Sequence, residues 1–227
     1  PSDRVCRLRI QFAKSGSMAL LSHLDLMRML ERALRRSGLP ISFTGGFHPL
    51  PRIQIALALP LGCEAQSEWM DLEFTAPLEP TIFLETLKPL LPEGIDLLSA
   101  SVVPVSGRSL SQEISGAVLS FDLALSDGGR ADWDKAVEAL LASDTLVWHD
   151  TDKKGRPRQR DCRPSLRKLE RIEHESPSGI RLRLHAGVDE MGRSLRPGQI
   201  QHWLSEQLSQ PLTVEKVCRD ALVLARC

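Results

Sequence analysis

Ser22, His23 and Asp25 stand together in the chain. With His48 they supply a hydroxyl, two imidazoles and a carboxylate, the groups that an acid–base or metal site needs. The same residues have a plainer use. Ser22 and Asp25, three apart, make a capping-box-like helix start, and His23 beside them can bond to the turn. Two histidines and a carboxylate hold a metal only if the fold brings them together, so spacing alone leaves both readings open.

A second candidate is the turn Thr44-Gly45-Gly46-Phe47-His48-Pro49-Leu50-Pro51, followed by Arg52. Paired glycines allow positive φ, and the exposed amides around Gly45 and Gly46, beside His48 and Arg52, suit a phosphate. The alternative is a tight connection stiffened by Pro49 and Pro51, with Phe47 packed inward. No Walker or dinucleotide fingerprint is present.

Two basic stretches suit a polyanion. Arg28, Arg32, Arg35 and Arg36 fall within a few turns of one helix and largely off its apolar face, with Asp25 and Glu31 placed to pair with Arg28 and Arg35. Lys153, Lys154, Arg156, Arg158, Arg160 and Arg163 open the denser stretch, 153–171, where Gly155 and Pro157 suggest a loop able to follow a phosphate backbone. Tyr is absent and aromatic residues are scarce, which favours phosphate and shape recognition over stacked single-strand readout. The competing reading is a solvated hairpin. Charge balances overall at 29 against 29, yet residues 61–100 carry Glu64, Glu68, Asp71, Glu73, Glu79, Glu85, Glu93 and Asp96 against Lys88 alone. That sorting predicts one surface for a polyanion and another for a protein partner.

The positioning elements follow from hydrophobic periodicity. Leu8, Ile10 and Phe12 alternate with Arg7, Arg9 and Gln11, as in a half-buried strand, and Leu20, Leu24, Met27, Leu30 and Leu34 recur at helical spacing. Strands are expected at 41–43, 52–59, 69–75 and 95–103, with a helix at 81–88. The polar stretch 104–116 reads as a domain boundary. Beyond it come a strand at 118–125, a helix around Trp133, Val137 and Leu140, a strand at 145–149, a strand at 180–185, a helix carrying Ile200, Trp203 and Leu204, and a closing strand at 213–224. The expected architecture is α+β: two tandem ferredoxin-like (β-α-β-β-α-β type) sandwich domains, 1–105 and 117–227, joined by a linker at 106–116. The tryptophans are expected to pack.

The composition is that of a folded protein, 42% hydrophobic and 26% charged. No apolar run is long enough for a membrane helix, and the start does not read as a signal peptide, so a cytoplasmic protein without a membrane partner is expected. The five cysteines are odd in number and form no CxxC, which fits reduced thiols rather than a disulfide framework and gives no metal motif. The first residue is Pro rather than Met, which leaves room for a portion of a longer polypeptide.

Arg7 to Lys14, Ser22-His23-Leu24-Asp25-Leu26, Gly46-Phe47-His48-Pro49-Leu50-Pro51-Arg52, Ala58-Leu59-Pro60-Leu61-Gly62, Glu68-Trp69-Met70-Asp71-Leu72 and Asp161-Cys162-Arg163-Pro164 together resemble the radical SAM-linked family. The resemblance spans nearly the whole chain. It implies an accessory domain of unknown function, fused behind or encoded beside a cobalamin-binding radical SAM protein, often near ribonuclease and ribosomal-protein genes. The chain lacks the C-x-x-x-C-x-x-C run that ligates the cluster. An iron–sulfur cluster, S-adenosylmethionine and cobalamin are therefore expected on the partner or fused domain, with none in this chain. The expected role is a non-catalytic module that presents RNA or a ribonucleoprotein to its neighbour. The alternatives are a small phosphate-ester or metal-dependent enzyme using His23, Asp25 and His48, or a structural protein–protein adaptor.

Overall fold

The computed structural model describes residues 4–128, 130–151, 154–172, 179–189 and 192–225, and shows a mixed α+β fold. It divides into two units: one runs to Ile114 and takes up the chain again at Leu224, and the other is Ser115–Val223.

The first unit contains β1 (Cys6–Lys14), α1 (His23–Ser37), β2 (Ile53–Ile55), β3 (Glu64–Phe74), α2 (Pro80–Leu87), β4 (Ile95–Val103) and the short α3 (Leu110–Glu113). Its strands lie in the order β4-β1-β3-β2, every neighbouring pair antiparallel. The Ser22 hydroxyl accepts from the Asp25 amide at the start of α1, and Gly38 ends the helix at φ 69°. Leu26, Leu30, Ala33 and Leu34 form its buried stripe, which meets Leu8, Ile10 and Phe12 of β1 and Met70, Leu72 and Phe74 of β3. Phe83 and Leu87 of α2 complete this core, with the Phe83 ring edge-on to Phe74 at 6.0 Å. Each such side chain stabilises the fold by about 1.5–3 kcal/mol through removal from water.

The expected strands at 41–43 and 52–59 shrink to bridges at Ile41 and Phe43 and the three residues of β2. Prolines at 40, 49, 51 and 60 remove ladder donors throughout this stretch. β3 in turn begins at Glu64, earlier than its apolar pattern suggests.

The second unit contains most of β5 (Ile114–Leu125), then α4 (Trp133–Ala142), β6 (Val147–Thr151), β7 (Pro157–Asp161), β8 (Leu166–Ile172), β9 (Gly179–Gly187), α5 (Pro197–Leu208) and β10 (Leu212–Leu224). Its main sheet runs β10-β5-β9-β8, and β6 and β7 pair separately as a hairpin. The register sets Leu119 against Leu184, Phe121 against Leu182 and Leu123 against Ile180, so one face is continuously apolar. Trp133 and Trp203 are buried in this unit, as expected, and the Trp203 indole donates to the Val147 carbonyl at 3.0 Å.

The strand expected at 145–149 is β6, which lies off the main sheet, while the strand beside β9 is β8, inside the basic segment 153–171. Leu166 and Leu169 supply its buried positions, an apolar signal that the surrounding charge hides. The stretch 106–116 likewise carries ordered structure, with α3 within it and β5 beginning at Ile114. No helix among the described residues is long and apolar enough to cross a membrane. Cys6, Cys63, Cys162 and Cys218 form no disulfide among the described residues, and Cys227 lies outside them.

Candidate functional site

Ser22 and Asp25 are engaged with each other: the Ser22 hydroxyl donates to Asp25 Oδ2 at 2.7 Å and accepts from the Asp25 amide at 3.2 Å. Asp25 also lies 3.4 Å from the Arg28 guanidinium. His23 is exposed at the first position of α1 and borders a water-sized hole lined also by the buried Lys14 and Glu68. His48 is exposed on the 44–51 turn, and no contact among the described residues joins it to His23 or Asp25. No group of three or more His, Cys, Asp and Glu among the described residues is placed to hold a metal ion.

The Gly45–Gly46 turn is the tip of a small hairpin. The Thr44 amide donates to Leu50 O at 2.8 Å, the Leu50 amide to Thr44 Oγ1 at 3.0 Å, and Gly46 sits at φ 108°. Phe47 is fully exposed rather than packed inward, because the hairpin carries it away from the core. Arg52 is half-buried, its Nε donating to Phe43 O at 3.2 Å, with Glu73 Oε2 3.8 Å away.

Arg28, Arg32, Arg35 and Arg36 are all exposed along α1. Arg35 pairs with Glu31 at 2.9 Å and also donates to Pro49 O, which ties the helix to the turn. Arg36 donates to Leu90 O at 3.1 Å. Arg32 has no partner among the described contacts.

The denser basic segment is largely consumed by its own fold. Arg158 grips Asp150 with two bonds of 2.8 Å, and Arg160 Nε lies 3.5 Å from the same carboxylate. The Arg158 hydrogen bond, helped by the charges of Arg160 and Arg193, holds the Asp150 carboxyl below its usual range. Arg163 caps the end of α4, donating to Leu141 O at 3.0 Å and Ser143 O at 2.9 Å, and reaches Leu166 O at 3.1 Å. Arg171 pairs with Asp134, and Lys168 with Glu170. Lys154 and Arg156 are exposed near the hairpin turn, while Lys153 lies outside the described residues.

The polar face of β1 carries a constellation that strand periodicity assigns to solvent. Arg7, Arg9 and Asp71 are only 5%, 9% and 3% exposed. Arg7 Nε donates to Asp71 Oδ2 at 2.8 Å, and Arg9 Nε and Nη2 reach the two Asp71 oxygens at 2.9 and 3.1 Å. Arg9 Nη1 and Nη2 then grip Glu113 at 2.6 and 3.2 Å. Hydrogen bonding to Asp71 holds the Arg9 proton more tightly than usual, outweighing the opposing effect of burial, and the Arg9 hydrogen bond lowers the Glu113 pKa. The signal in the sequence was charge complementarity at matching positions of two strands, Arg7 and Arg9 against Asp71 and Glu73, which becomes readable once the register of β1 on β3 is known.

Two clefts open on this network. One, about 350 Å³, is lined by Arg4, Arg7, Arg52, Glu73 and Gly107 among others. The second, about 640 Å³, is lined by Arg7, Arg9, Val103, Pro104, Gly107, Arg108, Glu113 and Ala225. Arg7 and Gly107 border both, so the segment after β4 forms walls of each.

No curated protein matches the chain. Among solved structures, a chain of the "Crystal Structure of a Cbf5-Nop10-Gar1 Complex" is similar with a TM-score of 0.55 and 10% identity, over 97% of this chain and 50% of that one. This chain therefore spans about half the length of that relative, and at such identity the likeness is one of fold. A chain of the "Crystal structure of putative glycine cleavage system transcriptional repressor" aligns over 95% of this chain and 98% of that one at 12% identity, but its TM-score of 0.24 carries no structural argument. A family model described as "Uncharacterized protein conserved in bacteria (DUF2344)" matches residues 7–214, and the chain belongs to that family.

Proposed function

We propose that this chain is an accessory module that binds RNA or a ribonucleoprotein, and that it works beside a radical SAM protein which carries the iron–sulfur cluster, S-adenosylmethionine and cobalamin. The observation that carries the RNA reading is the α1 ridge, where Arg28, Arg32, Arg35 and Arg36 are all exposed and Arg35 is tied to a turn that holds Phe47 fully in solvent. Guanidinium groups neutralise backbone phosphates, and an exposed ring gives one base a stacking surface. The fold likeness to a chain of a Cbf5-Nop10-Gar1 complex supports a role within a macromolecular assembly. The radical SAM partnership rests on the motif resemblance alone. The β4-β1-β3-β2 and β10-β5-β9-β8 orders, each with two crossover helices, support reading both units as ferredoxin-like sandwiches, the second with an inserted hairpin.

The internal pairing of Arg158, Arg160 and Arg163 moves the weight of the RNA reading from the basic segment to α1. Titration of a structured RNA pool at several salt concentrations tests it with the triple variant R28E/R32E/R36E. We expect affinity to fall at least about ten-fold and the salt slope to drop by roughly two, as loss of two or three phosphate contacts requires. F47S should weaken binding without changing the slope. Unchanged affinity and slope in the triple variant would remove the basis of the RNA reading.

A further inference from the structure

We infer that the twin clefts of the first unit form a nucleotide site, with the phosphate held at Gly107–Arg108 and the organic part lying against Val103, Pro104 and Ala225. The inference deepens the RNA reading by adding a single-nucleotide pocket separate from the α1 ridge.

Charge comes first. The residues lining the two clefts include Arg4, Arg7, Arg9, Arg52 and Arg108 against Asp71, Glu73 and Glu113, five cations to three carboxylates. The carboxylates are all claimed within the protein: Asp71 by Arg7 and Arg9, Glu113 by Arg9, and Glu73 by Arg4 at 3.2 Å with Arg52 nearby. Arg108 is the surplus. It is exposed, its guanidinium has no partner among the described contacts, and its charge is felt by Glu113 across the second cleft.

Donor geometry comes second. The Arg108 backbone is fixed from beneath, since Arg7 Nη2 donates to Arg108 O at 3.1 Å and Arg7 Nη1 to Pro104 O at 3.4 Å. A buried guanidinium, itself locked on Asp71, thus holds the 104–108 turn in place. The backbone N–H groups of Ser106, Gly107 and Arg108 have no acceptor among the described contacts. A β-carbon at Gly107 would make ordinary contacts, 3.4 Å from Pro104 O and 3.6 Å from Arg7 Nη1, so a branched side chain there adds bulk to the wall that both clefts share. These exposed amides have no protein acceptor in the turn, and with the exposed Arg108 guanidinium they are available to an oxyanion.

Size and lining come third. A 640 Å³ cleft is larger than a lone oxyanion needs and lies within the range of small-molecule sites. Val103, Pro104 and Ala225 give it apolar wall, and the Glu113 carboxylate offers acceptor capacity to a base amino group or a ribose hydroxyl. In the neighbouring cleft Glu73 Oε2 is buried with no hydrogen-bond partner. A phosphate, an apolar body and hydrogen-bond donors on that body together describe a nucleotide.

Calorimetric titration of the full chain tests this with the four nucleoside 5′-monophosphates, the four nucleosides and inorganic phosphate, alongside 5′-phosphorylated and 5′-hydroxyl forms of one short oligoribonucleotide. At least one monophosphate should bind at one per chain, its nucleoside about ten-fold or more weaker, and R108A should lower the affinity by a similar factor, as loss of a charge-assisted contact does. G107V should block binding while its circular dichroism matches the parent. Tighter binding of the phosphorylated oligonucleotide than of the mononucleotide identifies an RNA end as the source, and equal binding identifies a free nucleotide. R28E/R32E/R36E should leave mononucleotide affinity unchanged, so failure of the ridge and failure of the pocket are read separately. Absence of monophosphate binding at millimolar concentration, or wild-type affinity in both R108A and G107V, would overturn the site.

Discussion

Arg9 and Asp71 are direct partners across β1 and β3, and their side chains close on each other with Arg9 Nε 2.9 Å from Asp71 Oδ1. Because Arg7 approaches the same carboxylate, one buried acid balances two nearly buried guanidinium groups, and Glu113 supplies the second negative charge. This network lines both clefts of the first unit and holds two cations and two carboxylates in mutual hydrogen bonds.

Removing its centre should therefore be costly. D71A leaves Arg7 and Arg9 without their shared acceptor, and urea denaturation should show a loss of about 3–5 kcal/mol, the range for breaking a buried ion pair on one side. D71N, which keeps one acceptor oxygen, should lose less. E73A, at the partly exposed edge of the same strand pair, should cost no more than about 1 kcal/mol.

Glu113 makes the same network sensitive to acid. Its folded pKa lies below the ordinary 4.5, chiefly through the Arg9 hydrogen bond. The unfolded chain thus takes up this proton at higher pH than the folded one. The stabilisation is complete above about 4.5 and is lost as pH falls through the folded value. Urea midpoints measured from pH 6 down to pH 3 should decline more steeply in the parent than in E113Q. Parallel curves would exclude Glu113 as a contributor.

Gly94 should tolerate no side chain. Its φ is +90°, and a β-carbon there would stand 2.6 Å from Ser15 O, whose own amide donates to Gly94 O at 2.8 Å. G94A must open this turn or strain it, at an expected cost of at least about 1–3 kcal/mol in thermal or urea unfolding. Gly46 also has positive φ but faces open space, so G46A should cost less.

Arg163 should behave as a cap rather than as an RNA contact. Its guanidinium serves three carbonyls around the end of α4, and R163A leaves them without their charged donor. A stability loss of about 1–3 kcal/mol is expected, with RNA affinity and salt slope unchanged at temperatures where the protein is folded.

Periodicity and punctuation alone determined most of the first unit. Leu30 and Leu34 fall on the buried face of α1 as their spacing indicates, whereas Leu20 and Leu24, expected on the same stripe, are exposed and Leu26 is buried instead, because the helix begins only at His23. Ser22 and Gly38 mark its ends, and Leu8, Ile10 and Phe12 announce a core-facing strand, since each of these signals depends on neighbours within one or two turns of chain. The exposed arginines of α1 were legible for the same reason: residues off a helical apolar stripe face solvent wherever the helix packs. What local pattern does not carry is the partner of a polar side chain. Arg7 and Arg9 have the alternation of a solvated strand face, yet they are buried, because β3 aligns Asp71 opposite and the chain returns after β4 to cover them. The charge run at 153–171 reads as a loop able to follow a phosphate backbone or as a solvated hairpin, and folding divides it among a hairpin, a helix cap and a sheet strand, since Asp150, the end of α4 and β9 each claim part of it. The polar 106–109 stretch reads as a linker from composition, and its place on the walls of the clefts is set by Arg7, about a hundred residues earlier in the chain. Contacts of that separation depend on strand register and chain return, which only the tertiary structure supplies.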